Sequence, residues 1–176
     1  RLEIIACIND VETLKFCNFS DPIYVNSISD LPSGSGLGSS SAFTVGLLKG
    51  IYNLKNIKKT NIQLAEEACE IEINRLKKPI GKQDQYACAM GDVNFIRYDS
   101  SGLVSIKKNN NTRKFIKVIL SNSLLIYSGI ARESEFILKD QNKKIKNRII
   151  QNEMIKIRDI CNNMYKFSSN YSEKNF

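Results

Sequence analysis

Histidine is absent from all 176 residues, and that one absence removes Ser-His-Asp triads, histidine general bases and most zinc sites. Any acid–base chemistry must therefore come from Asp, Glu, Lys or Tyr. Cysteine is sparse and odd in number: Cys7, Cys17, Cys69, Cys88 and Cys161, with no C-x-x-C spacing. That pattern excludes a complete disulfide frame and a thiolate metal cage, and it is the pattern of reduced core thiols in a cytoplasmic protein. No apolar run is long enough to span a bilayer and no signal peptide opens the chain, so no membrane partner is expected. No internal repeat is present, and no nucleic-acid-binding motif.

What is there is a basic chain with enough apolar residues to bury a core. Lys and Arg number 26 against 18 Asp and Glu, a formal charge of +8, and hydrophobic residues make up 42%. The excess positive charge suits an anionic ligand. The basic residues are spread (Lys55, Lys58, Lys59; Lys77, Lys78; Lys143, Lys144, Lys146, Arg148) without interleaved aromatics. A small anion is therefore expected rather than nucleic acid.

The segment Asp30-Leu-Pro-Ser-Gly-Ser-Gly-Leu-Gly-Ser-Ser-Ser-Ala42 carries the strongest signal. Gly34, Gly36 and Gly38 alternate with small residues, which lets the backbone take positive φ and approach a ligand closely. A helix-forming run follows at once, and a helix N-terminus offers unpaired N–H groups and the positive end of its dipole to a phosphate. It is not a Walker loop, because Ser39 and Ser40 stand where Lys-Ser/Thr would follow the last glycine. Nor is it the dinucleotide fingerprint, whose glycines are spaced G-x-G-x-x-G. Pro32 stiffens the entry, and pattern and context together predict phosphate binding.

Strands are predicted over Leu2–Ile8, Thr13–Phe19 and Ile23–Ile28, followed by a helix from about Ser39 to Tyr52. Thr60-Asn-Ile-Gln63 has the capping-box pattern and opens a second helix reaching about Leu76, which Lys77-Lys78-Pro79-Ile80-Gly81 breaks. A short third helix follows Gly81. A hairpin pairs Val93–Tyr98 with Leu103–Lys107 across Asp99-Ser-Ser-Gly102. Lys107–Lys114 is expected as loop, and Phe115–Leu120 and Leu124–Ser128 as strands. Helix is expected from Glu133, broken near Asn142–Lys146 and resuming from about Ile149 to Phe167. The class is α+β rather than a series of βαβ units.

Two acids occupy telling places. The second helix carries an apolar stripe of Ile62, Ala65, Cys69, Ile73 and Leu76, and Glu72 falls on it. An inward carboxylate must be paired, hydrogen-bonded or bound to metal, so Glu72 is either a lysine-paired edge residue or a metal ligand. Asp84, in the first turn of the third helix, is either a helix-capping acid or a catalytic one. Its neighbours Lys82, Gln83 and Gln85 make a polar opening that could face a ligand. Phosphoryl transfer unites these features: amides hold phosphates, a serine hydroxyl and a glutamate hold Mg²⁺, and an aspartate orients or deprotonates the acceptor hydroxyl.

Pro32-Ser-Gly-Ser-Gly-Leu-Gly-Ser-Ser-Ser-Ala42 resembles the second motif of the GHMP kinases, close to P-x-x-x-G-L-G-S-S-A. Ile80-Gly-Lys-Gln-Asp-Gln-Tyr-Ala-Cys-Ala-Met-Gly91, with Asn94-Phe-Ile96 after it, is similar to the branch that phosphorylates D-glycero-D-manno-heptose 7-phosphate. Tyr127-Ser-Gly-Ile130, Arg132 and Gln141-Asn142 fit the same branch, and the resemblance spans roughly Ile23 to Asn142.

The resemblance implies a two-domain fold. An N-terminal domain like domain 2 of ribosomal protein S5 would cover residues 1–117, and the start of an α/β C-terminal domain residues 118–176. It implies that Pro32, Gly34, Gly36, Leu37, Gly38, Ser39, Ser40 and Ser41 wrap the ATP phosphates, and that Ser40 and Glu72 bind Mg²⁺. It further implies that Asp84 is the catalytic aspartate beside the acceptor hydroxyl and that Lys82, Gln83, Gln85 and Arg132 contact substrate.

The implied reaction is ATP-dependent phosphorylation of the anomeric hydroxyl of a sugar phosphate, giving heptose 1,7-bisphosphate for nucleotide-activated heptose. A fucose- or galactose-type kinase and a non-catalytic nucleotide- or sugar-binding module stand as alternatives. Asp84 follows Glu72 by twelve residues, one more than in mevalonate kinases, and Gly91-Asp92 stands where Gly-Gly is usual. The family's first and third motifs are missing from the chain, which opens without Met and is expected to be part of a longer protein.

Overall fold

The computed structural model describes residues 8–28, 36–126, 138, 140, 141 and 143–172. The described chain falls into two compact units, one running to Met90 and including Leu138, the other holding the remaining described residues from Gly91 onward. The boundary expected near Lys117 falls inside a helix of the second unit.

The first unit is helical. It contains α1 (Ile8–Phe16), α2 (Ser39–Leu54), α3 (Asn61–Cys69) and α4 (Gln83–Met90). Helix α3 runs on without a break into a π-helical turn, Glu70–Arg75, closed by the Leu76 N–H donating to the Ile71 carbonyl at 2.9 Å. The predicted capping box is present: the Thr60 hydroxyl accepts from the Gln63 N–H, and the Gln63 carboxamide oxygen accepts from the Thr60 N–H at 2.9 Å. Two orphan donors of the first turn are thereby satisfied, which sets where α3 begins.

Val45, Leu48, Ile51 and Tyr52 of α2 meet Leu64 and Ala68 of α3, Ile71 of the π turn and Cys17 beyond α1. The spacing of 45, 48 and 52 is the i, i+3, i+7 stripe that a core-facing helix requires. On α3 the buried face is Leu64, Ala65, Ala68 and Cys69, and the π turn adds Ile71 and Glu72. Ile62, expected on this stripe, is 47% exposed. Leu64, Ala65, Ala68, Ile71 and Glu72 follow the i, i+1, i+4, i+7, i+8 spacing of one helix face, and Ile62 lies at the edge of that face in the first turn.

The strand expected over Thr13–Phe19 is instead the end of α1 and the turn after it. Its buried positions, Asp10, Thr13 and Cys17, have helical spacing but are polar or small, so a hydropathy pattern does not register them. Ile23–Ile28 forms no strand, and Tyr24 and Ile28 are exposed. From Leu2 to Cys7 the expectation lies outside the described residues.

The second unit contains the predicted hairpin, β1 (Phe95–Tyr98) antiparallel to β2 (Val104–Lys107), with Phe95 opposite Lys107 and Tyr98 opposite Val104. The Asp99 carboxylate accepts from the Ser101 and Leu103 N–H groups, each at 2.9 Å, and pins the turn. Phe115–Leu120, expected as a strand, lies in α5 (Asn110–Ser121), and the Asn-rich stretch before it is the cap rather than a loop. Asn109 accepts from the Asn111 and Thr112 N–H groups, and such an Asx cap nucleates a helix even ahead of a β-branched run.

Leu124–Ile126 is not a strand, and Tyr127 and Ser128 lie outside the described residues. The last helix, α6 (Arg148–Ser169), matches expectation; Phe115 packs edge-on against its Phe167, ring centroids 5.4 Å apart.

The core assignment can be checked by substitution. Leu48→Ala should cost about 3 kcal/mol, since Leu48 is fully buried. Ile62→Ser should change stability by no more than about 0.5 kcal/mol. Urea denaturation reads both, and a large loss at Ile62 would restore the original stripe.

Candidate active site at the start of helix α2

The glycine loop delivers the chain to α2 in a left-handed turn. Gly36 and Gly38 both have φ 73°, a conformation that strains any residue bearing a Cβ. Gly38 is the N-cap of α2 and provides no side-chain cap, so the first-turn amides have no side-chain acceptor from that position. Leu37, Ser39 and Ser40 are exposed beside it. Pro32 and Gly34 lie outside the described residues, as does Arg132.

Gly38 matters for a second reason. A Cβ built on it would lie 3.4 Å from the Asp84 carboxyl carbon, so the loop backbone and the α4 aspartate are in direct apposition. Cys88, one turn further along α4, approaches the Gly38 carbonyl with its Sγ at 4.0 Å. Burial raises the pKa of Asp84, and the nearby charge of Glu72 raises it further. A raised pKa makes its carboxylate a stronger proton acceptor than a solvated one.

Glu72 is completely buried. Its Oε1 accepts from Ser40 Oγ at 2.7 Å and from Lys78 Nζ at 3.1 Å. Its Oε2 accepts from Ser41 Oγ at 2.7 Å and from Gln85 Nε2 at 2.7 Å. Burial alone would push this carboxyl upward, but the bonds from Ser40, Ser41 and Gln85 and the charge of Lys78 outweigh it and hold it below the usual range. One carboxylate thus joins the start of α2, the π turn and α4.

The expected site residues therefore separate. Ser40, Ser41, Glu72 and Gln85 meet in one network, and Gly38 lies against Asp84. Gln85, expected to face a ligand, is fully buried and committed to Glu72, with its Oε1 left unpaired. The Ser41 hydroxyl is likewise committed to Glu72. Lys82 and Gln83 are exposed at the start of α4, where the Gln83 carboxamide folds over Gly81 into the space a Cβ would need.

Lys78 was not anticipated as a site residue. It lies six positions beyond Glu72, which is off the face of an α-helix. Only the π turn and the left-handed Lys77 after it (φ 54°) return the chain so that the Lys78 N–H donates to the Glu72 carbonyl at 3.0 Å. The adjoining Pro79 was legible as a breaker, but the direction of the return was not.

Residues 4–92 match the family described as GHMP kinases N terminal domain. The chain belongs to the GHMP kinases. A D-glycero-alpha-D-manno-heptose 7-phosphate kinase from Campylobacter jejuni is 32% identical over 121 residues, which is 69% of this chain and 36% of that protein. The chain thus spans about a third of the length of that relative. No solved structure matches it. Among the described residues no helix is long and apolar enough to cross a membrane.

The network also answers whether this GHMP kinase segment fits a divalent cation. Ser40 Oγ and Glu72 Oε1 are 2.7 Å apart, close to the separation of about 2.9 Å between neighbouring ligands of an octahedral Mg²⁺ with oxygens at 2.0–2.1 Å. Among the described residues no group of three or more His, Cys, Asp or Glu gathers to hold a metal. Mg²⁺ asks for less, one or two protein oxygens with phosphate and water completing the shell. The donor set fits.

Acid titration tests the state of Glu72. Its pKa is lower folded than its ordinary 4.5, so its stabilisation is complete above that pH and is lost as pH falls through the folded value. Asp84 has the opposite sign, losing stability as pH rises above its ordinary 3.8. The part of the Asp84 shift that comes from burial is common to wild type and Glu72→Gln, whereas the part that comes from the Glu72 charge leaves with that charge and narrows the gap at pH 7. Glu72→Gln should be roughly 2–4 kcal/mol less stable at pH 7, and the gap should close as pH is lowered well below 4.5. A gap independent of pH would mean that Glu72 is not held ionised.

Proposed function

We propose that the chain carries the phosphate-binding and catalytic portion of an ATP-dependent sugar kinase whose acceptor is the anomeric hydroxyl of a heptose 7-phosphate. The observation that carries this reading is the convergence at the start of α2: Glu72 on Ser40 and Ser41, and Asp84 on Gly38. A helix needs neither acid in those places to fold. A phosphoryl-transfer site needs both.

In this reading the first-turn amides of Ser39, Ser40 and Ser41, with Gly36 and Gly38 allowing close approach, receive the ATP phosphates. Ser40 Oγ and Glu72 hold Mg²⁺, which when bound neutralises charge on the transferring phosphoryl group. Asp84 accepts the proton of the attacking hydroxyl, helped by its raised affinity for protons. Gln85 and Ser41 keep the Glu72 carboxylate oriented. Lys82 and Gln83 are placed to meet the acceptor from the exposed start of α4.

Heptose 7-phosphate as acceptor is supported by the similarity to the Campylobacter jejuni kinase and by the Gly81–Ala87 segment. A compartment that keeps Cys17, Cys69, Cys88 and Cys161 as free thiols agrees with a cytoplasmic enzyme.

A coupled ADP-release assay on the full-length protein tests the reading, with Mg-ATP against heptose 7-phosphate, mannose, fucose, galactose, mevalonate and homoserine. Turnover is expected on heptose 7-phosphate. Turnover on another sugar alone would keep the kinase and replace the acceptor, and ATP binding without turnover would favour a binding module. Asp84→Asn should lower kcat by at least about 10²-fold while changing nucleotide affinity little. Activity surviving within a few-fold would make Asp84 a structural cap.

A further inference from the structure

The Ser40–Glu72 pair already has a cation on it. Lys78 Nζ lies 2.8 Å from Ser40 Oγ and 3.1 Å from Glu72 Oε1, capping the two oxygens proposed above as the metal's protein ligands. We propose that Lys78 is an exchangeable cation: its ammonium holds the metal position until the metal arrives with nucleotide, and is then displaced. This rests on the reading of Ser40 and Glu72 as metal ligands.

The argument is one of charge and space. A buried carboxylate needs a compensating positive charge, and Ser40, Ser41 and Gln85 donate without supplying one. Lys78 supplies it, so the loop can assemble before any metal is present. An ammonium at about 3 Å and a divalent cation at about 2 Å cannot share the same oxygen edge, because hard cations bind these oxygens directly and the two positive charges repel.

The parts differ in how readily they can leave. Ser41 and Gln85 are buried on the inner side of the carboxylate, whereas the Lys78 side chain is 17% exposed. Its backbone is anchored by the bond from its N–H to the Glu72 carbonyl and followed by Pro79, so only the four-carbon stem has to move. Such a stem carries a compact, rotatable charge that can swing from carboxylate to solvent or phosphate without disturbing the fold. Free metal is then expected to bind weakly, and the negative charge of nucleotide to favour the exchange.

Mn²⁺ is the probe, and the full-length protein the sample. By titration calorimetry Lys78→Met should bind Mn²⁺ without nucleotide roughly 10-fold tighter than wild type, and Lys78→Arg no tighter. Glu72→Gln should lose the binding. Simple removal of a positive charge would also tighten Mn²⁺, so a second measurement uses the native chain. Reductive methylation mapped by mass spectrometry should show Lys78 gaining reactivity on Mn²⁺ addition while exposed Lys77 and Lys82 do not change.

Loss of binding in Glu72→Gln, with Lys78 protected and Lys78→Met within twofold of wild type, would overturn the exchange and leave the metal reading standing. Binding unchanged in Glu72→Gln would overturn both. If Lys78→Met fails to fold, the labelling of the native protein decides alone.

Discussion

The buried carboxylate of Glu72 is the constraint around which the first unit is arranged. Removing a carboxylate from water costs several kcal/mol unless donors and an opposite charge replace the lost hydration. Here the replacements come from the start of α2, from beyond the π turn and from α4. Three segments distant in sequence are thus obliged to meet at one point. The apolar core of α2 and α3 supplies most of the driving force for collapse, but it does not specify how the α2 N-terminus is presented. The carboxylate does.

That arrangement puts stability and chemistry in the same atoms. The serine hydroxyls that satisfy Glu72 open the helix whose amides face the glycine loop, so binding the carboxylate also orients the phosphate-receiving turn. Preorganised donors of this kind need no reordering when charge develops in a transition state. The orphaned Oε1 of Gln85 shows the cost: its Nε2 is committed to Glu72, and its buried oxygen has no hydrogen-bond partner. A buried unsatisfied acceptor is tolerated when the group beside it is worth holding in place.

The π turn deserves equal weight. An α-helical continuation would carry Lys78 away from Glu72, whereas the wider turn and left-handed Lys77 return it to the carboxylate. Single π turns are frequent at functional sites, and this one ends its helix, with Leu76 as the C-cap. A non-glycine residue at φ 54° also carries a local cost of about 1 kcal/mol, which the Lys78–Glu72 contacts help to offset.

Much of this was legible in residue order. The glycine–serine loop, the capping box at Thr60, the hairpin around Asp99–Gly102 and the long terminal helix announce themselves through local chemistry: positive φ, side-chain caps and turn-forming residues act within a few positions. The strands expected over Thr13–Phe19 and Phe115–Leu120 failed for the complementary reason. Their β-branched and aromatic content is a weak preference, overridden by a polar helical stripe in α1 and by the Asn109 cap in α5.

By itself the sequence determined the family, the loop, the helix starts and the two acids worth attention, since each depends on spacing along the chain. Only the tertiary structure decided which groups those acids face. Glu72 gained Lys78, Ser41 and Gln85 as partners, Gln85 turned inward, and Asp84 came to rest on Gly38. The reason is that a buried charge selects its partners by distance in three dimensions, and the π turn that sets those distances has no signature in the spacing of its residues.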